Sequence, residues 1–247
     1  MQNKVPEVTL AFWVIKICAT TLGETFGDFL SMTLGLGYAA STAILFVVFV
    51  ITLVAQITSK SFHPFVYWSV ILSTTTVGTT ISDYLDRTAG LGYVAGSALI
   101  GIVLVCVLAT WRSTTGSISV STITNPKVEV FYWTAILVSN TLGTALGDFM
   151  ADSSGLGFGG SALVFAALLA LIALAYFFTG ISRTALFWSA FVLTRPLGAT
   201  LGDVLTKPLE HGGLNLGRLE SSLVITVFLV AAILLTSQRA EKETKSA

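Results

Sequence analysis

The residues with the clearest chemical potential in this sequence are carboxylates that lie within long apolar segments. Glu24 and Asp28 occur in the stretch TLGETFGDFLSMTLGLGY, residues 21–38, and an aspartate recurs in three similar segments, as Asp83, Asp148 and Asp203. An ionisable side chain inside a bilayer costs about 2.5–3.5 kcal/mol on insertion scales, so such residues usually face a helix bundle and have a function there. Several carboxylates in one bundle predict a cation site or a proton relay.

Each aspartate ends a polar face when residues are counted back in steps of four, which follows one side of a helix. These faces carry Lys16, Thr20, Glu24 and Asp28; Thr75, Thr79 and Asp83; Asn140, Thr144 and Asp148; and Arg195 and Asp203. We expect the four faces to converge. The five carboxylates are then the candidate metal ligands, and Lys16 and Arg195 are candidate counter-charges. The predicted neutral oxygen ligands are Thr20, Thr79, Asn140 and Thr144.

The ligand types on these faces restrict the cation. Carboxylate, hydroxyl and amide oxygens suit hard cations such as Mg²⁺, Ca²⁺ or Mn²⁺, and the absence of cysteine and histidine from the faces argues against copper and zinc. Like charges in a low-dielectric interior favour protonation unless a cation neutralises them, which predicts coupling to protons. The alternative is structural, with each aspartate capping the backbone of the glycine-bearing turn that follows it.

The composition indicates that these residues belong to the helices of a membrane protein. The chain has 247 residues, of which 54% are hydrophobic and 11% charged, and its mean hydropathy is +0.85. At 1.5 Å per residue, a helix of about 20 residues crosses ~30 Å of hydrocarbon. We therefore predict an all-α integral membrane protein with eight spans near residues 8–31, 38–59, 65–85, 93–111, 128–150, 160–180, 184–205 and 219–237.

The carboxylates belong to an internal repeat. Four tryptophans recur at intervals of 55, 65 and 55 residues, each 15 residues before one of the aspartates: Trp13, Trp68, Trp133 and Trp188. The element G-x-x-x-[GS]-D precedes a turn of sequence GLGY or GLGF in the first three units, whereas KPLEHGGLNLG replaces that turn in the fourth. A shared register of this kind predicts four helical hairpins. Their boundaries are 7–62, 63–112, 127–181 and 182–238, in one membrane domain with a linker at 113–126 and a polar tail at 239–247.

Charges outside the spans predict the orientation. The termini and the loops after even-numbered spans carry Lys4, Lys60, Arg112, Lys127, Arg183, Arg239, Lys242 and Lys245, whereas the opposite side carries Arg87, Lys207 and Arg218. By the positive-inside rule both termini are cytoplasmic, and the four hairpins run parallel. The tryptophans are expected to anchor the cytoplasmic interface, the glycine pairs four residues apart to mark close helix contacts, and the tail to be unstructured.

The four Trp…G-x-x-x-[GS]-D…G-L-G units resemble a family of bacterial membrane proteins built from four tandem two-span repeats of unknown function. The resemblance covers nearly the whole chain. It implies a multi-pass protein of the bacterial inner membrane and supplies no activity.

The polar faces favour a secondary transporter that moves a hard divalent cation, with Mn²⁺ favoured, export expected and protons coupled. Its predicted partners are the bilayer, the small inorganic cation and protons, with no nucleic acid and no cofactor. A cation channel and a non-transporting scaffold with structural buried charges are the alternatives. Enzymatic activity is not expected, because intramembrane aspartyl proteases carry G-x-G-D and this chain has a different spacing and four equivalent aspartates.

Overall fold

The computed structural model is all-helical over the residues it describes, which are 4–120, 123 and 125–246, with side chains described except at 211 and 238–246. The chain forms two helices in each repeat, as the sequence predicts. Their bounds are α1 Leu10–Asp28, α2 Gly37–Thr58, α3 Pro64–Asp83, α4 Gly92–Thr115, α5 Pro126–Asp148, α6 Gly157–Phe178, α7 Arg183–Thr206 and α8 Arg218–Ser246.

A common turn ends the odd-numbered helix of the first three repeats. Beyond each aspartate the helix continues for five residues as a π-helical turn, over Phe29–Thr33, Tyr84–Thr88 and Phe149–Ser153. The G-L-G sequence then reverses the chain, and both of its glycines have positive φ, for example 67° at Gly35 and 75° at Gly37. Glycine adopts this conformation without steric cost, which explains why the same tripeptide ends all three turns. In the fourth repeat a short 3₁₀ helix, Leu209–His211, lies in a longer loop.

The four odd-numbered helices form a closed ring in the order α1, α3, α5, α7, and α7 packs back against α1. The even-numbered helices surround this ring. Each of them packs against the odd-numbered helix of the next repeat, α2 on α3, α4 on α5 and α6 on α7, and α8 completes the circle on α1. Each repeat therefore buries its outer helix against its neighbour, as expected for units that cannot form a core alone.

Glycines make the close contacts within the ring. A Cβ on Gly198 would clash with the Thr20 side chain and lie 2.9 Å from the Thr20 carbonyl carbon, and a Cβ on Gly78 would lie 3.1 Å from the Thr141 nitrogen. The same pattern places Gly23 against Thr75 and Gly143 against Arg195. In each case the glycine lies five residues before the aspartate of its helix. The residue that it contacts on the next helix lies about eight residues before the aspartate of that helix. The odd-numbered helices are thus parallel and in register, and the predicted glycine contacts are confirmed.

Three of the four tryptophans are buried against neighbouring helices, so for these three the expected role as interfacial anchors was wrong, whereas Trp13 is partly exposed. Trp68, Trp133 and Trp188 are at most 5% exposed. The residue immediately before each tryptophan is also aromatic. It packs against the tryptophan of the next repeat around the ring, with ring centroids 5.4–6.4 Å apart. These aromatic pairs are Phe12 with Trp68, Tyr67 with Trp133, Tyr132 with Trp188, and Phe187 with Trp13. We call these eight residues the aromatic ring; it closes the amino-terminal end of the bundle.

Four helices are long and apolar enough to cross a membrane, judged by length and composition over the described residues: α2, α4, α6 and α8 within Arg218–Ser237. They are the four outer helices. Two smaller expectations fail. α4 runs to Thr115, into the linker predicted at 113–126, and the backbone of α8 stays helical to Ser246 through the tail predicted to be unstructured. The tail sequence AEKETKS is rich in strong helix formers, which explains its extension of α8.

Candidate functional site

Four-residue steps along the odd-numbered helices generate layers across the bundle, with one residue from each helix in a layer. Toward the amino-terminal end one layer consists of Lys16, Ile71, Ile136 and Phe191, all buried. The following layers become polar and end at the four aspartates: Thr20, Thr75, Asn140 and Arg195; Glu24, Thr79, Thr144 and Ala199; then Asp28, Asp83, Asp148 and Asp203. Every one of these residues is at most 3% exposed. The predicted polar faces therefore converge in the bundle centre, closed by aromatic side chains at one end.

Arg195 occupies the middle of the polar layers. Its Nη2 lies 2.8 Å from Glu24 Oε2, 2.5 Å from Thr79 Oγ1 and 2.8 Å from Thr144 Oγ1. One nitrogen of α7 therefore contacts all three of the other inner helices. Nη1 donates to the Thr20 carbonyl at 3.4 Å. The guanidinium is fully buried, and Arg195, one of the two counter-charges that the sequence predicts, pairs with Glu24.

Two cations divide the aspartate layer into pairs. Arg87 Nε lies 3.1 Å from Asp83 Oδ1, and its Nη2 lies 3.1 Å from Asp148 Oδ2. Lys207 Nζ lies 3.0 Å from Asp203 Oδ1 and 3.1 Å from Asp28 Oδ2. Each cation thus bridges two neighbouring helices at the carboxyl-terminal end of the ring.

A third cation, Arg218 at the start of α8, approaches Asp28 Oδ2 with its Nε at 3.6 Å. Its Nη1 donates to Thr33 Oγ1 at 3.3 Å. The three positive residues that the sequence places on this side of the protein all contact the aspartate layer.

The carboxylates keep the two bridging cations charged. Burial alone would lower the pKa of Lys207, but Asp203 and Asp28 more than offset that effect and hold the pKa above its ordinary value. Burial likewise acts against the Arg87 guanidinium, and Asp83 and Asp148 raise its pKa above the ordinary value. Both bridging cations therefore stay charged at neutral pH.

Among the residues that the structure describes, three carboxylates form a close acidic group. One oxygen from each of Glu24, Asp28 and Asp203 lies within 4.8 Å of the others, and all three residues are buried. We call this set the carboxylate triad. Asp83 and Asp148 are not members of this triad, and they share a contact with Arg87. The single five-carboxylate site that the sequence suggests is thus divided into a triad and a clamped pair.

Lys16 and Asn140 are among the predicted site residues that have a buried polar atom without a hydrogen-bond partner. Lys16 Nζ is buried without a hydrogen-bond partner and stands 3.7 Å from the centroid of the Phe191 ring. It pairs with no carboxylate among the described residues, so its predicted role as a counter-charge was wrong in this conformation. Asn140 donates through Nδ2 to Thr74 Oγ1 at 2.9 Å, while its Oδ1 accepts no hydrogen bond from any described residue.

The capping alternative does not describe the aspartates of the first three repeats. The side chains of Asp28, Asp83 and Asp148 make no capping hydrogen bond to the π-helical turn that follows each of them. They contact cations instead. Sequence reasoning missed these cations, although Arg87 and Lys207 stand four residues after Asp83 and Asp203 and continue the polar face forward by one step.

Comparison with known families agrees with the repeat. A family model described as Repeat of Unknown Function (DUF347) matches residues 11–62, 66–117, 131–182 and 186–241. The chain belongs to this family of tandem helical repeats. No curated protein and no solved structure matches the chain.

Proposed function

We propose that this protein is a secondary transporter of a hard divalent cation, with all eight helices crossing the membrane. The inner helices of 19–24 residues are about as long as the outer ones, which pack around them. A helix of that length spans ~30 Å at 1.5 Å per residue. The protein is proposed to lie in the bacterial inner membrane with both termini in the cytoplasm.

The observation that carries the proposal is the carboxylate triad. Its oxygens are close enough to contact one ion, and oxygen ligands of this type prefer Mg²⁺, Ca²⁺ or Mn²⁺. The position also suits a transporter, because the triad lies in the polar half of the bundle and the aromatic ring closes the other half. Access from that end requires a second conformation, as alternating access does. Mn²⁺ is the first cation to test, and carboxylates left without a cation would take up protons.

The test is cation flux into liposomes that contain the purified full chain, with Mn²⁺, Mg²⁺ and Ca²⁺ supplied one at a time and internal pH followed. Asp28→Asn and Glu24→Gln keep side-chain volume and remove a ligand charge. We expect each to reduce flux by at least about tenfold, since ligand charge sets the affinity of such sites. Thermal unfolding in detergent shows which variants remain folded; Asp28→Asn decides the outcome if loss of the Arg195 partner unfolds Glu24→Gln.

Asp152→Asn is the matched control. Asp152 is an exposed carboxylate at the same end of the bundle, where it accepts a hydrogen bond from Tyr93 Oη at 2.9 Å. This variant is expected to transport normally. Wild-type flux equal to that of protein-free liposomes for all three cations, or normal flux in folded Asp28→Asn, would exclude the proposal.

A scaffold without transport is the second candidate, and charge compensation favours it. The five carboxylates of the bundle are contacted by four internal cations, Arg87, Arg195, Lys207 and Arg218. In a scaffold these pairs would only fix the helix register. Absence of flux together with strong destabilisation on breaking the pairs would support that function.

A further inference from the structure

The two bridging cations occupy equivalent positions in alternate repeats. Arg87 follows Asp83 by four residues, and Lys207 follows Asp203 by four. Each side chain also reaches the aspartate of the next helix in the ring, Asp148 for Arg87 and Asp28 for Lys207. The aspartate layer therefore has a twofold arrangement in which one bridge is an arginine and the other a lysine.

The two bridges differ in strength. Arg87 uses two different nitrogens of a planar guanidinium, one for each aspartate, which fixes both the distance and the orientation. Lys207 uses one ammonium as a point charge between two carboxylates. A lysine on a flexible stem is therefore the more easily displaced of the two.

The carboxylate triad lies on the lysine side. Lys207 Nζ sits 3.1 Å and 3.0 Å from oxygens of Asp28 and Asp203, two of the three triad members. The contact with Asp203 lacks hydrogen-bond geometry. Asp203 is only 2% exposed, and no group among the described residues donates a hydrogen bond to its Oδ1. This oxygen is held by charge alone, so another cation could replace the ammonium there.

Lys207 also has a route away from the triad. It follows the last residue of α7, and its side chain is 14% exposed, whereas those of Asp28 and Asp203 are at most 3% exposed. Rotation of this side chain toward the carboxyl-terminal surface would open Asp203 and Asp28 to an entering ion, with Arg218 Nε still 3.6 Å from Asp28 Oδ2.

We infer that Lys207 is a tethered cation that occupies the substrate position between Asp28 and Asp203 and leaves when the substrate cation binds. Arg87 is then the permanent clamp of the opposite pair. This inference rests on the proposed cation-binding function. It gives the site a neutralised empty state, in which the buried carboxylates are never left unpaired during the return of the unloaded transporter.

Two substitutions at one position test the inference in opposite directions. Lys207→Arg replaces the point charge with a stronger clamp, and Lys207→Gln removes the competing charge. Mn²⁺ binding to the detergent-purified protein is measured by the electron paramagnetic resonance signal of the free ion. We expect affinity to fall at least about tenfold in Lys207→Arg, because bidentate guanidinium–carboxylate pairs resist displacement, and to rise in Lys207→Gln. Lys60→Arg and Lys60→Gln make the same changes at an exposed lysine and should leave affinity unchanged.

Chemical labelling gives a readout at the residue itself. An amine-reactive reagent followed by mass spectrometry should modify Lys207 of the wild-type protein faster as Mn²⁺ is added, while modification of Lys60 stays constant. Wild-type protein that binds Mn²⁺ with unchanged labelling of Lys207, or folded Lys207→Arg and Lys207→Gln variants that both bind like wild type, would overturn the inference alone. A wild-type protein that binds no Mn²⁺, Mg²⁺ or Ca²⁺ would instead overturn the proposed function on which it rests.

Discussion

Arg195 shows how one residue can organise the bundle centre. Its guanidinium is fully buried and contacts Glu24 together with two hydroxyls from other helices. A buried ion pair gains little over a well-packed apolar pair, but removing one partner leaves an uncompensated charge that is strongly unfavourable. Substitution of Arg195 or Glu24 alone is therefore expected to cost more stability than substitution of both together.

We expect Arg195→Met to destabilise the protein by about 3–5 kcal/mol, because it leaves Glu24 buried without its counter-charge. Adding Glu24→Gln to Arg195→Met should recover much of this loss. The measurement is the unfolding free energy of the wild type, the two single variants and the double variant in detergent. Additive effects of the two substitutions would show that the residues are not energetically coupled.

Each inner helix presents glycines to the next helix of the ring and larger residues to the glycines of the previous helix. Each glycine of the ring receives a residue from the next helix, and the contacts repeat around the circle. Small residues allow this approach in lipid, where dispersion contacts and hydrogen bonds replace the hydrophobic effect. The outer helices add hydrogen bonds such as Thr52 to Ser73 and Ser222 to Thr25 at 2.9 and 2.8 Å.

Gly198→Ala is expected to destabilise the bundle by about 1–3 kcal/mol, the usual cost of overpacking, because its Cβ would clash with Thr20. The matched control is Gly159→Ala in α6, where a Cβ would meet nothing within 4 Å. Since alanine is the better helix former, that variant should be neutral or stabilised by about 0.5–1 kcal/mol. Thermal unfolding of both variants checks this difference; equal midpoints would contradict the packing role of Gly198.

At the scale of the molecule, the pseudo-fourfold ring gives the protein two unlike ends. The amino-terminal end is closed by the aromatic ring, in which Tyr67 and Tyr132 also share a hydrogen bond of 2.7 Å between their hydroxyls. The carboxyl-terminal end holds the acidic residues with their partly exposed cations. Because all four inner helices run in one direction, every inter-repeat loop lies at the first end and every G-L-G turn at the second.

This arrangement predicts two classes of accessible site. In a chain whose own thiols are removed by Cys18→Ala and Cys106→Ala, an impermeant thiol reagent outside intact cells should label Ala89→Cys and Ser154→Cys in the turns. Ser113→Cys and Thr179→Cys, near the inter-repeat loops, should react only after the cells are opened. All four positions are exposed. Labelling of Ala89→Cys and Thr179→Cys from the same side would exclude a parallel arrangement of the hairpins.

Periodicity in the sequence was enough to determine the inner helices, their polar faces and the fourfold register. The 15-residue offset between tryptophan and aspartate and the four-residue steps from Asp28 to Lys16 are local properties of a helix, so they can be seen without a fold. The tertiary structure alone decided the partners. The closed order of the ring sets Arg195 against Glu24, turns Lys16 toward Phe191 and buries Trp133 against Tyr67. Helical spacing specifies the face of a side chain, whereas its contacts depend on which helix of the ring comes next, and only the packed chain defines that order.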